Sequence, residues 1–347
     1  MNSPFTSYHQ EKEFLKEAFE STEHYLEVNK VLDKYGWNFI NPYIQVFKLN
    51  HILNQEKQGL LSQEKVDSFF IKEFYDLSNT LSFIDGYFNR SKFISSYNYF
   101  IEHSLILCFQ KDYAGAINLL IPVIEGTLGS YIKDYRGTSL KEGNRYEKIK
   151  KSIKQIKEDI LLNIKSGYES SSYDKNQINH LISFHRKYYD NWTLIINTFL
   201  EKSLFAHTDI NLPDNNLNRH LILHFIDIKK YHSLGNYIKL FNCLKFLVWL
   251  FLTLERKSIL NNIQNQIFLE KRLLYEELIK QSEKLTPIKH AILKEYDLNN
   301  KSDLSHNPTY ELFNKDLSTG GKIYLYIQKK MLFFRSKIEL KNNPTSK

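Results

Sequence analysis

Apolar residues recur at the spacing of an α-helix over long stretches of this sequence, and this pattern is the main constraint on its fold. Residues 113–135 carry a stripe of apolar side chains that would share one helical face: Ile117, Leu120, Ile121, Ile124, Leu128 and Ile132. Glycine (12 residues) and proline (7 residues) are scarce, which disfavours an architecture with many tight turns between strands. The sequence therefore predicts an all-α protein.

The length of 347 residues predicts two domains, or one helical domain with extensions. Hydrophobic residues make up 42% of the chain and charged residues 25%, which is the balance of a globular protein with a sizeable core. The periodicity predicts one helix from Val66 to about Ile84, and a polar loop over residues 166–177.

Composition also limits the compartment and the partners that we expect. The net charge of +8 permits an anionic partner such as nucleic acid, although charge alone does not identify one. Cys108 and Cys243 lie among apolar residues and are predicted to be buried free thiols in a reducing compartment. The amino terminus has no apolar signal region, and the most apolar run, Phe246–Leu254, is far shorter than the roughly 20 residues of a membrane span. We therefore expect a cytoplasmic protein with no membrane partner.

Residues 217–225, LNRHLILHF, place three polar side chains in a run that otherwise has the pattern of a core helix. His220 and His224 are spaced i, i+4 and would share a face, with Arg219 beside it. The preceding cluster of Asp214, Asn215 and Asn216 is predicted to supply the N-cap of this helix. Arg219, His220 and His224 are therefore expected to meet near a helix amino terminus, where negative charge is favoured.

Three interpretations of this cluster remain open from the residues alone. The two histidines have a legitimate spacing for zinc, with a third ligand recruited from His207 or Asp209, although Leu221 stands where a zincin has glutamate. The side chains could instead be satisfied polar residues of a structural helix. The third interpretation is a metal-free phosphodiester site, because arginine binds phosphate and histidine exchanges protons near neutrality.

The segment Arg219-His220-Leu221-Ile222-Leu223-His224 resembles the signature of the HEPN superfamily of helical ribonucleases. That signature is an arginine, a polar residue and then a histidine, with four to six positions between the arginine and the histidine. The earlier run Ile121-Pro122-Val123-Ile124-Glu125-Gly126 is similar to a Pro-x-x-x-Glu-Gly-like segment of the family, one residue tighter. The resemblance covers residues 100–256, and implies a multi-helix bundle of HEPN type.

The resemblance also implies a reaction and a set of roles. Two chains would form a homodimer, with one composite cleft in which Arg219 binds the scissile phosphate and His224 is the general base or acid. His220 would orient the site or contact phosphate, Asn218 would hydrogen-bond nearby, and Glu125 would position Arg219 or a histidine. The expected activity is endonucleolytic cleavage of an RNA substrate by its own 2′-OH, leaving a 2′,3′-cyclic phosphate, with no metal and no cofactor.

On this basis the chain divides into residues 1–99, a helical region of unknown role; residues 100–256, the HEPN-like domain; and residues 257–347, a C-terminal extension. Family members of this kind imply a role in phage defence or as a toxin, with an antitoxin or a defence-system protein as a partner. The alternative is a non-catalytic HEPN-like module that binds RNA, a nucleotide or a protein. Catalytic turnover that depends on His224 would discriminate between the two.

Overall fold

A computed structural model describes residues 7–37, 39–136, 145–206, 217–223, 231–257 and 266–294. Throughout this part of the chain the ordered elements are helices, and no strand occurs in it, which confirms the predicted all-α class. All of these residues belong to one compact unit, Met1–His306. The division into three regions stays a prediction.

The N-terminal region is a series of helices joined by short turns. They are α1 (Tyr8–Asp33), α2 (Val46–Lys57), α3 (Gln63–Tyr75) and α4 (Leu77–Ser82). The side chains of Ser7, Ser62 and Asp76 cap three of them by accepting hydrogen bonds from backbone N–H groups in the first turn. A π-helical turn, Phe83–Tyr87, follows α4.

The rest of the described chain contains longer helices. They are α5 (Asn98–Phe109), α6 (Tyr113–Arg136), α7 (Arg145–Glu169), α8 (Lys175–Phe199), α9 (Arg219–Leu223), α10 (Leu234–Leu254) and α11 (Gln266–Lys294). Lys111, with a φ of 60°, makes the turn between α5 and α6. Helix α6 runs through the exposed Pro122 without ending there.

Two of the predicted boundaries are wrong, and capping residues explain both. The helix predicted from Val66 to Ile84 is interrupted at Asp76, which ends α3 and caps α4. The loop predicted over residues 166–177 is shorter, because α7 continues to Glu169 and α8 already begins at Lys175. Asp174 and Gln177 form a capping box at that point, and this local signal outweighs the polar composition.

Helix α10 lies at the centre of the core. Every residue of it except Thr253 is buried, and it packs against α3, α6 and α7. Its aromatic rings meet rings from distant parts of the chain: Trp249 lies 5.7 Å from Trp192, and Phe251 lies 4.7 Å from Phe93, between ring centroids. Because such contacts surround the helix, its whole apolar surface contributes to the core.

The apolar run and the cysteines are buried as the sequence predicts. Phe246–Leu254 forms the C-terminal part of α10, and Cys108 and Cys243 are buried free thiols. By length and composition, Tyr113–Ile132 and Leu234–Leu254 would each suffice to cross a membrane. A buried core helix passes the same test, and 94% of the apolar window in α10 is buried, so these segments carry no conclusion about a membrane.

The last described helix, α11, is attached to the bundle by apolar contacts and by ion pairs. Phe268, Tyr275 and Ile279 are buried, and the helix packs against α4 and α5. The ammonium of Lys271 bonds to Asp85 at 2.6 Å and to Glu102 at 2.7 Å. Residues 295–347 of the predicted C-terminal extension lie outside the described part of the chain.

A polar cluster joins α1, α7 and α8. The hydroxyl of Tyr168 donates to the buried carboxylate of Glu11 at 2.8 Å, and Tyr173 donates to the other oxygen of that carboxylate at 2.8 Å. The same Tyr168 hydroxyl lies 3.0 Å from His185 Nε2. Burial lowers the pKa of His185 to about 4, and the nearby charge of Glu11 offsets only part of this effect.

We expect His185 to make the free energy of unfolding depend on pH. The unfolded chain takes up a proton at this histidine near pH 6.5, whereas the folded protein does not do so until about pH 4. The contribution of neutral His185 to the free energy of unfolding is therefore complete above pH 6.5 and is lost as the pH falls towards 4. The loss between pH 7.5 and 5 is about 1–2 kcal/mol. Urea unfolding at these two pH values should show a smaller loss for His185→Gln. His51→Gln, at an exposed histidine, is the control and should behave as wild type does. An unchanged pH dependence in His185→Gln would contradict this assignment.

Candidate functional site

Helix α9 begins at Arg219, and Asn218 fixes this start. The side-chain oxygen of Asn218 accepts a hydrogen bond from the backbone N–H of Leu221 at 3.2 Å, which is the bond of an N-cap. Its amide nitrogen donates to the carbonyl of Ala206 at 2.8 Å, and the residue is fully buried. Asn218 thus supplies a cap that the sequence had assigned to residues 214–216, which lie outside the described chain.

The guanidinium of Arg219 contacts the carboxylate of Glu125 on helix α6. The pair joins Arg219 Nε to Glu125 Oε1, and the two side chains are only 20% and 9% exposed. The guanidinium carbon also lies 5.9 Å from the centre of the Phe205 ring, within the range of a cation–π contact. One cation is thereby held between a carboxylate and an aromatic ring.

The apolar stripe of α6 determines where Glu125 lies. Ile117, Leu120, Ile121, Ile124 and Leu128 are all buried, as the helical spacing predicts. Glu125 follows Ile124 directly and therefore projects at the edge of the buried face, where α6 packs against α9. A carboxylate at the edge of a buried face needs a partner, and Arg219 lies against it.

Gly126, the next residue of α6, gives the neighbouring Tyr97 room to pack on the helix. A Cβ atom at this position would lie 2.6 Å from the Tyr97 hydroxyl, which is too close for real contacts. That hydroxyl lies 3.2 Å from Ser130 Oγ, one turn further along α6. The Glu-Gly pair therefore places a carboxylate and a close aromatic contact side by side on one helix.

The ion pair between a half-buried arginine and a carboxylate holds both side chains in a defined position. Separating the two would leave either charge poorly solvated, so each holds the other in place. A guanidinium has five N–H donors in a planar fork, and the Glu125 carboxylate lies against its Nε side as an ion pair. The other N–H groups of the guanidinium are suited to a phosphate, because arginine can bind phosphate through two parallel hydrogen bonds.

The structure describes only part of the predicted cluster. Arg219, Asn218 and Glu125 come together. His220 belongs to α9, but its side chain lies outside the described part of the chain, as do His224, His207 and Asp209. The described residues contain no group of three or more His, Cys, Asp or Glu that could hold a metal ion. The zinc interpretation depends on residues outside this set and remains untested.

Comparison with known proteins finds no relative: no family model, no curated protein and no solved structure matches the chain.

Sequence reasoning did not find Phe205 and Ala206, which support Arg219 and Asn218 from the end of the preceding helical segment. Neither residue type carries a signal of its own, because phenylalanine and alanine are ordinary core residues. Only the tertiary structure brings them to α9. The Pro-x-x-Glu-Gly segment was the signal that did lead to Glu125.

The Arg219–Glu125 pair should be coupled energetically. We expect Glu125→Gln to lower the free energy of unfolding by roughly 1–3 kcal/mol, because it leaves a half-buried guanidinium without its counter-charge. Combining it with Arg219→Met should cost less than the sum of the two single changes. Urea unfolding of the wild type, the two single variants and the double variant measures this coupling energy.

The pair formed by Arg186 and Glu158 is a matched control. It joins the same residue types at 3.1 Å, but its side chains are 48% and 33% exposed. Exposed pairs contribute about 0–1 kcal/mol, so its coupling energy should be smaller. Equal coupling energies for the two pairs would show that burial does not strengthen the Arg219–Glu125 contact.

Proposed function

We propose that this protein is a metal-independent endoribonuclease of HEPN type. The single observation that supports it best is the ion pair of the half-buried Arg219 with Glu125, which lies on a separate helix. Arg219 is the residue directly before His220 in the sequence. A phosphodiester-cleaving site without a metal needs a fixed cation for the phosphate, and Arg219 meets this need. The proposal also rests on the resemblance of residues 219–224 to the HEPN signature.

In the proposed reaction, the chain supplies charge and protons, and RNA supplies its own nucleophile. Arg219 binds the scissile phosphate and stabilises the extra negative charge of the transition state. His224 removes the proton of the 2′-OH or protonates the leaving 5′-oxygen, and His220 contributes to orienting the phosphate. The 2′-oxygen bonds to phosphorus as the bond to the 5′-oxygen breaks, which leaves a 2′,3′-cyclic phosphate and a 5′-OH.

Glu125 is a positioning residue in this proposal. Its carboxylate forms an ion pair with Arg219 at Nε and thereby holds the guanidinium beside α6. Asn218 fixes the start of the helix from which Arg219 and His220 project. The composite cleft of a homodimer, and a role in phage defence or as a toxin restrained by a partner, belong to the same proposal.

The Arg219–Glu125 pair also favours a second candidate function. A counter-charge on the guanidinium is what a purely structural arginine would need as well. In that case the protein is a non-catalytic HEPN-like module that binds RNA, a nucleotide or a protein. Substitution of His224 would then change affinity at most, since there is no turnover to lose.

The direct test is cleavage of bulk tRNA and ribosomal RNA by the purified full chain in EDTA. We expect wild type to cut RNA and Arg219→Ala and His224→Ala to lose about 10²–10³ or more in rate, because they remove the phosphate contact and the proton transfer. Arg219→Lys should keep the charge but lose most activity, because an ammonium lacks the planar fork. Glu125→Gln should lose less activity than Arg219→Ala.

Arg186→Ala is the control for this test, because it removes an arginine that also pairs with a glutamate but lies on the exposed face of α8. It should cut RNA as wild type does. Toxicity on expression in a bacterial host extends the assay to RNA and activators present in a cell. Absence of cleavage and of toxicity in wild type, or equal cleavage by Arg219→Ala, would contradict the proposal. RNA binding without turnover would favour the second candidate.

A further inference from the structure

A second charged group is buried in the core of the described chain. Lys245 lies in the middle of the apolar helix α10 and is 5% exposed. It makes no hydrogen bond or ion pair with the residues that the structure describes. Its contacts are aromatic: the ammonium lies 4.3 Å from the centre of the Phe83 ring and 5.4 Å from that of Phe241. A buried ammonium with only these contacts carries a large desolvation cost.

Lys245 lines a small pocket whose other polar groups are one tyrosine hydroxyl, three asparagine amides and one carboxylate. The lining residues are Asn41, Tyr43, Ile44, Phe70, Glu73, Phe74, Asn79, Ile238, Asn242 and Lys245. The hydroxyl of Tyr43 is buried and has no hydrogen-bond partner among the residues that the structure describes. The ring of Tyr43 packs edge-on against Phe83, 4.6 Å between centroids, so the Tyr43 ring and the Lys245 ammonium contact the same aromatic ring.

The hydrogen bonds within the pocket wall leave the side-chain NH₂ group of Asn242 as a further donor. The amide nitrogen of Asn41 donates to the side-chain oxygen of Asn242 at 2.9 Å, and the side-chain oxygen of Asn41 accepts from the backbone N–H of Tyr43 at 3.0 Å. With its oxygen engaged in this way, Asn242 has its NH₂ group left for another partner. Ammonium, hydroxyl and amide donors thus line one pocket.

The two nearest carboxylates do not neutralise Lys245. Glu73 is paired with Lys48 on α2. Asp76 is exposed, and its carboxylate accepts the backbone N–H of Asn79 at 3.2 Å as the cap of α4. Both attract the ammonium at longer range, but burial is the larger influence and lowers the pKa of Lys245 to about 8. At neutral pH the ammonium therefore remains charged and without a paired counter-ion.

We propose that this pocket binds one small monovalent anion of about the size of chloride, held by the Lys245 ammonium, the Tyr43 hydroxyl and the Asn242 amide. The pocket is small, so a monatomic anion fits it better than phosphate, a nucleotide or a larger carboxylate does. An anion would neutralise the charge of the Lys245 ammonium, whereas a water molecule would not. It would also join α10 to the segment 39–45 and to the junction of α3 and α4.

The test is thermal unfolding of the full chain at constant ionic strength, with chloride replacing gluconate, which is too large for the pocket. We expect a saturable rise of the unfolding midpoint with chloride in wild type, because an anion that binds only the folded state stabilises it. The rise should be present at pH 7 and absent above about pH 9, where Lys245 loses its proton and with it the attraction for the anion.

Two variants test assigned donors, and a third is their control. Lys245→Met should abolish the response to chloride and raise the midpoint in gluconate, because an apolar side chain replaces an uncompensated buried charge. Tyr43→Phe removes only the hydroxyl and should weaken chloride binding roughly tenfold. Lys239→Met is the matched control: Lys239 is also buried on α10, with its ammonium 5.2 Å from the Trp37 ring, but it does not line this pocket.

The control variant should keep the chloride response of wild type. A wild-type midpoint that is the same in chloride and in gluconate would overturn the proposal. So would an undiminished response in Tyr43→Phe, which keeps the test decisive if Lys245→Met fails to fold. A response that is lost equally in Lys239→Met would also overturn it, because the effect would then come from buried lysines in general.

Discussion

The burial of α10 on all sides is the constraint on which the rest of the structure depends. A helix with almost no exposed residue must be enclosed by its neighbours, and α3, α6 and α7 provide that enclosure. The aromatic residues of the surrounding helices meet its own rings, so the N-terminal helices belong to the same core as the later ones. The two buried lysines, Lys239 and Lys245, both lie over aromatic rings of this core.

The candidate site is a consequence of this arrangement. Helix α6 uses one face to cover α10, and the position of that face fixes Glu125 at its edge. Glu125 then holds the guanidinium of Arg219, while Asn218 begins the short helix from which Arg219 projects. A rigid core thereby positions one cation with two independent contacts, which is the support that a binding or catalytic group needs.

The sequence predicted the class of fold well, because helical periodicity depends only on which residues are apolar. It predicted the boundaries less well: Asp76 and Asp174 are capping residues whose effect depends on single hydrogen bonds within the first helical turn. For the site, it found Arg219 and Glu125 from their local sequence contexts. It did not find Phe205, Ala206 or the pocket at Lys245, since contacts between residues far apart in the chain leave no periodic signal.

The chemistry of the RNA ends produced by the wild-type protein tests the central claim most directly. The proposed site has a phosphate-binding arginine and proton-transfer histidines but needs no metal, so RNA must be cut by its own 2′-OH. Mass spectrometry of products formed in EDTA should show 2′,3′-cyclic phosphate and 5′-OH ends, absent with Arg219→Ala. Ends carrying 5′-phosphate and 3′-OH, or cleavage that persists unchanged in Arg219→Ala, would contradict the account.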